Sequence, residues 1–271
     1  MTEDPLSRIA AALDRLAPPP ATADDLTHGA AFTWDGQALA TVRRFSPMPL
    51  DLLIGIDRHK TTFLDNLERF AGGAAAHDSL LWGARGTGKS ALVKSAVAAI
   101  RHDRPALALV AVALTDRLPT LFDRLASVDR PFLLFLDDLG FDSPGDARVL
   151  RSLIEGGVET RPDNVRIAVT ANRRHLVPRD IAEQDSAINP RDSIDDQLAL
   201  ADRFGISLGF HALDQDGYLA IVAAYAAHYD VAASPDQALG WAARRGGRSG
   251  RVAWQYIIDA AGRVGKRVPH H

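Results

Sequence analysis

Short apolar runs and one-sided apolar stripes alternate through the middle of the chain. Ser79-Leu80-Leu81-Trp82 is a run of the kind that forms a buried strand, and Ala91, Leu92, Val93, Ala96, Val97 and Ile100 follow it at helical spacing. Apolar runs over Ala106 to Leu114, Pro131 to Leu136, Val165 to Thr170 and Ile206 to Phe210 predict four more strands. Helical stripes lie over Asp57 to Phe70, Leu118 to Val128 and Ala147 to Glu155; Gly72-Gly73 and Gly156-Gly157 suit the ends of the first and third. This order predicts an α/β fold with a mostly parallel five-stranded sheet flanked by helices.

The pattern changes on both sides of that block. Leu6, Ile9, Ala10, Leu13 and Leu16 mark a short helix stopped by Pro18-Pro19-Pro20. The stretch up to residue 50 is otherwise irregular, except that Asp35-Gly36 can turn a small hairpin between Phe32-Thr33-Trp34 and Gln37-Ala38-Leu39. Beyond residue 210 only helical stripes remain, around Tyr218 to Tyr225, Pro235 to Ala243 and Val252 to Ala261. The expected organisation is an N-terminal helix and irregular segment over 1–50, an α/β core over 51–210 and a small helical subdomain over 211–271. The polar stretch from Arg173 to Asp196 is long for a loop in a compact domain.

Composition narrows the class. At 271 residues, 46% hydrophobic and 24% charged, the chain is expected to be globular, and its net charge of −3 gives no overall pull toward nucleic acid or membrane. The absence of cysteine excludes disulfides, thiolate nucleophiles and thiolate metal sites. Residues 1–10 do not resemble a secretory signal, and no stretch approaches the roughly 18 uninterrupted apolar residues of a membrane span, so a cytoplasmic location is expected.

The densest chemical signal is Gly83-Ala84-Arg85-Gly86-Thr87-Gly88-Lys89-Ser90, which fills G-x-x-x-x-G-K-S between a predicted strand and a predicted helix. In that setting Gly83, Gly86 and Gly88 let backbone N–H groups surround a β-phosphate, helped by the N-terminus of the helix that continues through Ala91. Lys89 reaches the β- and γ-phosphates, and Ser90 is placed to ligate Mg²⁺. The strand Phe132 to Leu136 ends in Asp137-Asp138. A carboxylate at the end of a neighbouring parallel strand can hold Mg²⁺ through water, the role expected for Asp137, while Asp138 would be the general base. A further strand ends in Asn172, whose amide can hydrogen-bond the attacking water or the γ-phosphate.

The glycine loop, the Asp-Asp strand, the Asn-tipped strand and Asp202-Arg203-Phe204 together resemble the AAA+ ATPases, a P-loop NTPase superfamily. That resemblance implies that Arg203 acts on the γ-phosphate of a neighbouring subunit, with Arg173 and Arg174 as competing candidates. It also implies that Arg251, or Arg248, in Arg248-Ser249-Gly250-Arg251 contacts the γ-phosphate from a C-terminal helical lid. ATPases of this type often carry glutamate where this chain has Asp138. Leu53-Ile54-Gly55-Ile56-Asp57, Ala171-Asn172-Arg173-Arg174-His175-Leu176-Val177-Pro178 and Ala201-Asp202-Arg203-Phe204-Gly205 narrow the match. Over residues 50 to 262 the chain resembles a bacterial family of AAA+ ATPases described as a domain of unknown function. Ile54 and Gly55 would by the same resemblance lie against adenine.

The expected function is therefore Mg²⁺-dependent ATP binding and hydrolysis in a homo-oligomer, coupled to remodelling of an unknown protein or nucleoprotein partner. From Trp241 to His271 seven Lys and Arg (Arg244, Arg245, Arg248, Arg251, Arg263, Lys266, Arg267) stand against Asp259 alone, a net of +6. That stretch keeps a DNA-associated factor, similar to helicase loaders or transposition ATPases, as an alternative that the acidic whole disfavours. A nucleotide switch that does not hydrolyse ATP is the other alternative, and a small-molecule kinase leaves the arginines unexplained.

Overall fold

The structure is a computed structural model, and it describes residues 25–113, 117–139, 150, 153–154, 161–172 and 203–269. The predicted helix over Leu6 to Leu16, the Arg173 to Asp196 stretch with Arg173 and Arg174, and most of the predicted helix over Ala147 to Glu155 lie outside the described residues.

Seven strands form one sheet: β1 (Ala31–Trp34), β2 (Leu39–Thr41), β3 (Ser79–Gly83), β4 (Ala108–Val112), β5 (Phe132–Leu139), β6 (Val165–Asn172) and β7 (Ile206–Phe210). Their spatial order is β2-β1-β4-β5-β6-β3-β7, and every pairing is parallel except that of β1 with β2. The five strands expected from the apolar runs are β3 to β7. The count rises to seven because the Asp35-Gly36 turn does close a hairpin, and β1 adds in parallel to the edge strand β4. Asp35 Oδ1 accepts from the N–H groups of Gln37 and Ala38 at 2.8 Å each, and Gly36 takes φ 97°, a left-handed conformation that glycine adopts without cost. The buried Arg130 guanidinium then holds the approach to β1, donating to the carbonyls of Leu26 at 2.8 Å and Gly29 at 3.0 Å.

Helices α1 (Asp57–Ala71) and α2 (Lys89–Ile100) cover one face of the sheet, and α3 (Leu118–Ala126) covers the other. Strand β5 serves both layers by simple alternation. Phe132, Leu134 and Leu136 pack with Leu121 and Leu125 of α3, while Leu133 and Phe135 pack with Phe63, Leu67, Val93 and Val97. Helices α4 (Gln215–His228), α5 (Pro235–Arg244) and α6 (Gly250–Arg263) form a separate core around Tyr218, Val222, Tyr225, Ala238, Tyr256 and Ile257, to which Leu52 is joined. Ser249 caps α6, its hydroxyl accepting from the N–H of Val252 at 3.2 Å. Among the described residues no helix is long and apolar enough to cross a membrane.

The topology sets where chemistry can occur. The chain leaves β3 for the distant β4, returns through β5 and β6 to β3's side, and places β7 on its other flank. Ligands of open parallel sheets bind beyond the C-terminal strand ends near such a reversal. Gly83, Asp137-Asp138 and Asn172 all stand at that end.

Candidate active site

Strand β3 delivers the glycine loop directly into α2. Gly83 has φ 133°, and a Cβ there would stand 1.9 Å from the Phe210 carbonyl oxygen, so the close approach of β3 to β7 requires glycine. Gly88 caps α2 in the left-handed region at φ 99°. The first turn of α2 holds no acidic residue, leaving its partial positive charge directed at the loop. Thr87 Oγ1 donates to the Ala84 carbonyl at 2.8 Å and tightens the turn. Lys89 is buried, and its ammonium donates to the carbonyls of Gly83 at 2.9 Å and Ala84 at 2.7 Å. Burial pushes its pKa below the ordinary lysine value. Asp138 and Asp137 oppose that shift, and the positive charges of Arg85 and Arg251 add to it. Two carboxylates and two guanidinium groups thus act on one ammonium.

The carboxylates owe their placement to a bulge. Leu136 pairs with Val169 but Leu139 pairs with Ala171, so one extra residue of β5 is extruded at the Asp137-Asp138 step. Asp138 takes φ 54° there, an unusual conformation for any residue but glycine, and one that aspartate tolerates better than most. Asp137 Oδ1 accepts from Ser90 Oγ at 2.6 Å and from Thr170 Oγ1 at 2.7 Å, while Thr170 Oγ1 accepts from the Asp138 N–H at 2.8 Å. Lys94 Nζ lies 3.8 Å from Asp137 Oδ2. Asn172 Nδ2 donates to Asp138 Oδ1. Its own Oδ1 is buried with no hydrogen-bond partner among the described residues, an acceptor available to a polar group beside Asp138.

Over the loop sits the lid. A cleft of about 320 Å³ is lined on one side by Gly86 to Ala91 and on the other by Ile221, Tyr225, Gly250, Arg251 and Trp254. Its apolar end is closed by Pro47, Met48, Ile54 and Ile56. Gly55 is exposed, and with φ 77° it makes the turn that sets Ile54 and Ile56 against the cleft. The Tyr225 hydroxyl donates to Met48 Sδ at 3.3 Å, and burial pushes its pKa up to about 12, with Tyr229 adding to the shift. The Trp254 ring meets Tyr225 edge-on with centroids 5.7 Å apart.

The structure therefore brings together Lys89, Ser90, Asp137, Asp138 and Asn172, with Arg251 near enough to act on the Lys89 charge. Arg203 is elsewhere. Ile206 pairs with Ser79 and Phe210 with Gly83, so Arg203, ahead of β7, is exposed beyond the sheet end opposite the glycine loop. Thr170 is the polar group that the sequence reading passes over, because threonine is an ordinary strand residue. Its one signal is its place two residues before Asn172, on the same face of β6. Tyr225 and Trp254 read only as positions within helical stripes, and Met48 falls in the stretch that reads as irregular.

A hydroxyl and a carboxylate in contact beside a glycine nest fit a hard cation held with phosphate oxygens. Among the described residues no group of three or more His, Asp or Glu could hold a metal alone, and the hydroxyl and carboxylate in contact here are those of Ser90 and Asp137.

In sequence, residues 27–264 match a family described as protein of unknown function (DUF815). The chain belongs to this family. No curated protein matches the chain in sequence. The backbone is similar to that of the Thermotoga maritima RuvB Holliday junction branch migration motor, with TM-score 0.52 and 19% identity over 82% of this chain and 68% of that one. It is similar also to Aeropyrum pernix ORC1, solved in complex with DNA, with TM-score 0.55 and 16% identity over 84% of this chain and 68% of that one. These similarities establish a shared fold, that of the AAA+ P-loop NTPases, with the expected α/β sheet and helical lid. This member of the family joins that fold to the bulged Asp137-Asp138 strand end.

Proposed function

We propose that this protein binds ATP with Mg²⁺ in the cleft between glycine loop and lid, and hydrolyses it. The observation that carries the reading is the continuous network Ser90–Asp137–Thr170–Asp138–Asn172 laid beside the buried Lys89. The loop amides and Lys89 bind the phosphates, Ile54 and Ile56 pack against the base, and Arg251 reaches the γ-phosphate from the lid. Ser90 and Asp137 would hold Mg²⁺, which supplies charge neutralisation at the β- and γ-phosphate oxygens. Asp138 accepts a proton from the attacking water, and Asn172 orients that water through the acceptor oxygen left unpaired beside Asp138. The pairing of Asp138 with Asn172 supports turnover over a switch that only binds.

Hydrolysis alters the lid-to-core angle and so does work on a protein or nucleoprotein partner, with Arg203 serving a neighbouring copy. A DNA partner has weaker support. Of the basic lid residues, Arg263 pairs with Asp259 and Lys266 with Asp230 at 2.8 Å each, and Arg245 stacks 4.2 Å above the Trp241 ring.

Titration calorimetry with ATP and Mg²⁺ tests the reading. Wild-type protein should bind, Lys89→Ala should bind at least tenfold more weakly, and Asp138→Asn should bind normally while losing about 10²-fold or more in turnover. Absence of binding by the wild type would overturn the assignment.

A further inference from the structure

The lid touches the glycine loop through its main chain. The N–H of Gly250, first residue of α6, donates to the Gly86 carbonyl at 2.8 Å. The contact is closely fitted: a Cβ on Gly86 would stand 2.8 Å from both Cβ and Oγ of Ser249. Gly86 also takes φ 73°, so both its shape and its conformation belong to glycine. Arg251, whose charge acts on Lys89, is the next residue along α6.

A trans peptide directs its N–H opposite to its C=O. Fixing the Gly86 carbonyl against the lid therefore points the Thr87 N–H away from the lid contact, and it polarises that N–H as a donor. The bond also sets the distance of the first turn of α6, and with it Arg251, from the loop. Resting on the ATP-binding reading above, we propose that the main-chain amide of Gly250 is a positioning group for nucleotide binding, holding Arg251 and the glycine loop in one register. Linkage makes the coupling reciprocal: nucleotide on the loop tightens the lid, and a docked lid tightens nucleotide.

A single substitution removes the donor while sparing the helix. Proline is favoured at the first helical position, and Ser249 before it is already extended, at φ −156° and ψ 161°, as a residue preceding proline requires. Gly250→Pro thus deletes the bond and sets its ring Cδ where the N–H pointed, toward the Gly86 oxygen 2.8 Å from the nitrogen, so the first turn of α6 must part from the loop. Gly250→Ala keeps the N–H and adds a Cβ 3.3 Å from the same carbonyl oxygen, and so controls for the added Cβ. Gly250→Pro should bind Mg²⁺–ATP at least about threefold more weakly than Gly250→Ala, since it loses the hydrogen bond and also parts the loop from the lid. Arg251→Ala should weaken binding much less in the Gly250→Pro background than in wild type, because the guanidinium has already lost its placement. Equal affinities for the proline and alanine variants, or fully additive losses, overturn the proposal while leaving an ATP-binding wild type intact. Amide exchange over residues 86–90 without nucleotide reads the contact independently of ATP. It should quicken in Gly250→Pro relative to Gly250→Ala, and equal exchange in the two variants is equally fatal to the idea.

Discussion

The Thr170 hydroxyl donates to Asp137 Oδ1 at 2.7 Å and at the same time accepts from the N–H of Asp138 at 2.8 Å. One oxygen on β6 thus fixes both consecutive carboxylate residues of the β5 bulge. Thr170 is 1% exposed, so water does not compete for its hydroxyl. The Asp137 carboxylate is aimed at Ser90 and the Asp138 backbone is held in its left-handed conformation by the same group.

Replacing Thr170 by valine keeps the shape and removes both bonds. The Asp138 N–H loses its partner at a cost of about 1–3 kcal/mol, visible as a lower denaturation midpoint. Turnover should fall about tenfold or more because Asp137 and Asp138 lose their common support, whereas ATP affinity, set by the loop, should change little. Thr170→Ser retains the hydroxyl and should recover most of the turnover. Equal rates for Thr170→Val and wild type would falsify the positioning role.

How much of this site is legible in the sequence depends on how local each constraint is. The glycine loop is fully legible, because Gly83, Gly86, Gly88, Lys89 and Ser90 must occur at fixed spacing within one turn. The strands β3 to β7 are legible because a doubly covered parallel sheet needs unbroken apolar runs. The end of β6 at Asn172 is legible too, whereas β5 runs past Leu136 to Leu139 because its pairing with β6 resumes after the bulge. The bulge, the Thr170 bridge and the Gly250 contact are not legible. Each arises from two segments distant in sequence, and the Gly250 contact uses a main-chain donor that every residue but proline carries. Arg203 shows the converse: its motif context is visible, but only the parallel register of β3 and β7 shows that it stands at the wrong end of its own sheet.

Lys89 should give the unliganded protein a particular alkaline signature. Its folded-state pKa is lowered from 10.5, first by burial. Between the lowered value and 10.5 the unfolded chain binds more protons than the folded one, so stability rises with pH across that window. Below the lowered value the cost of holding the charged ammonium is constant. Lys89→Met has no such group, so the stability of wild type relative to this variant should increase as pH is raised toward 10.5. Urea denaturation of both proteins at a series of pH values checks this, and a pH-independent difference contradicts it.

Arg203 should act on a neighbour's nucleotide. It precedes β7 at the end beside Ser79, whereas the glycine loop leaves β3 at the end beside Phe210. The four steps from Ile206 to Phe210 alone span about 13 Å at roughly 3.3 Å per strand residue, more than an arginine side chain can reach back across. A second copy must therefore present Arg203 to this site if it is to stabilise transition-state charge, a contribution that can reach about 10³–10⁵ in rate. Specific ATPase activity should rise with protein concentration as assemblies form. Arg203→Ala should keep ATP affinity while lowering turnover at least tenfold, and Lys89→Ala should lose both. Mixing the two inactive variants should restore part of the activity, because some interfaces then pair an intact loop with an intact arginine. If mixed assemblies form, shown by co-purification of differently tagged variants, and remain inactive, Arg203 does not act across an interface. Activity per protomer that stays flat from monomer to oligomer would lead to the same conclusion.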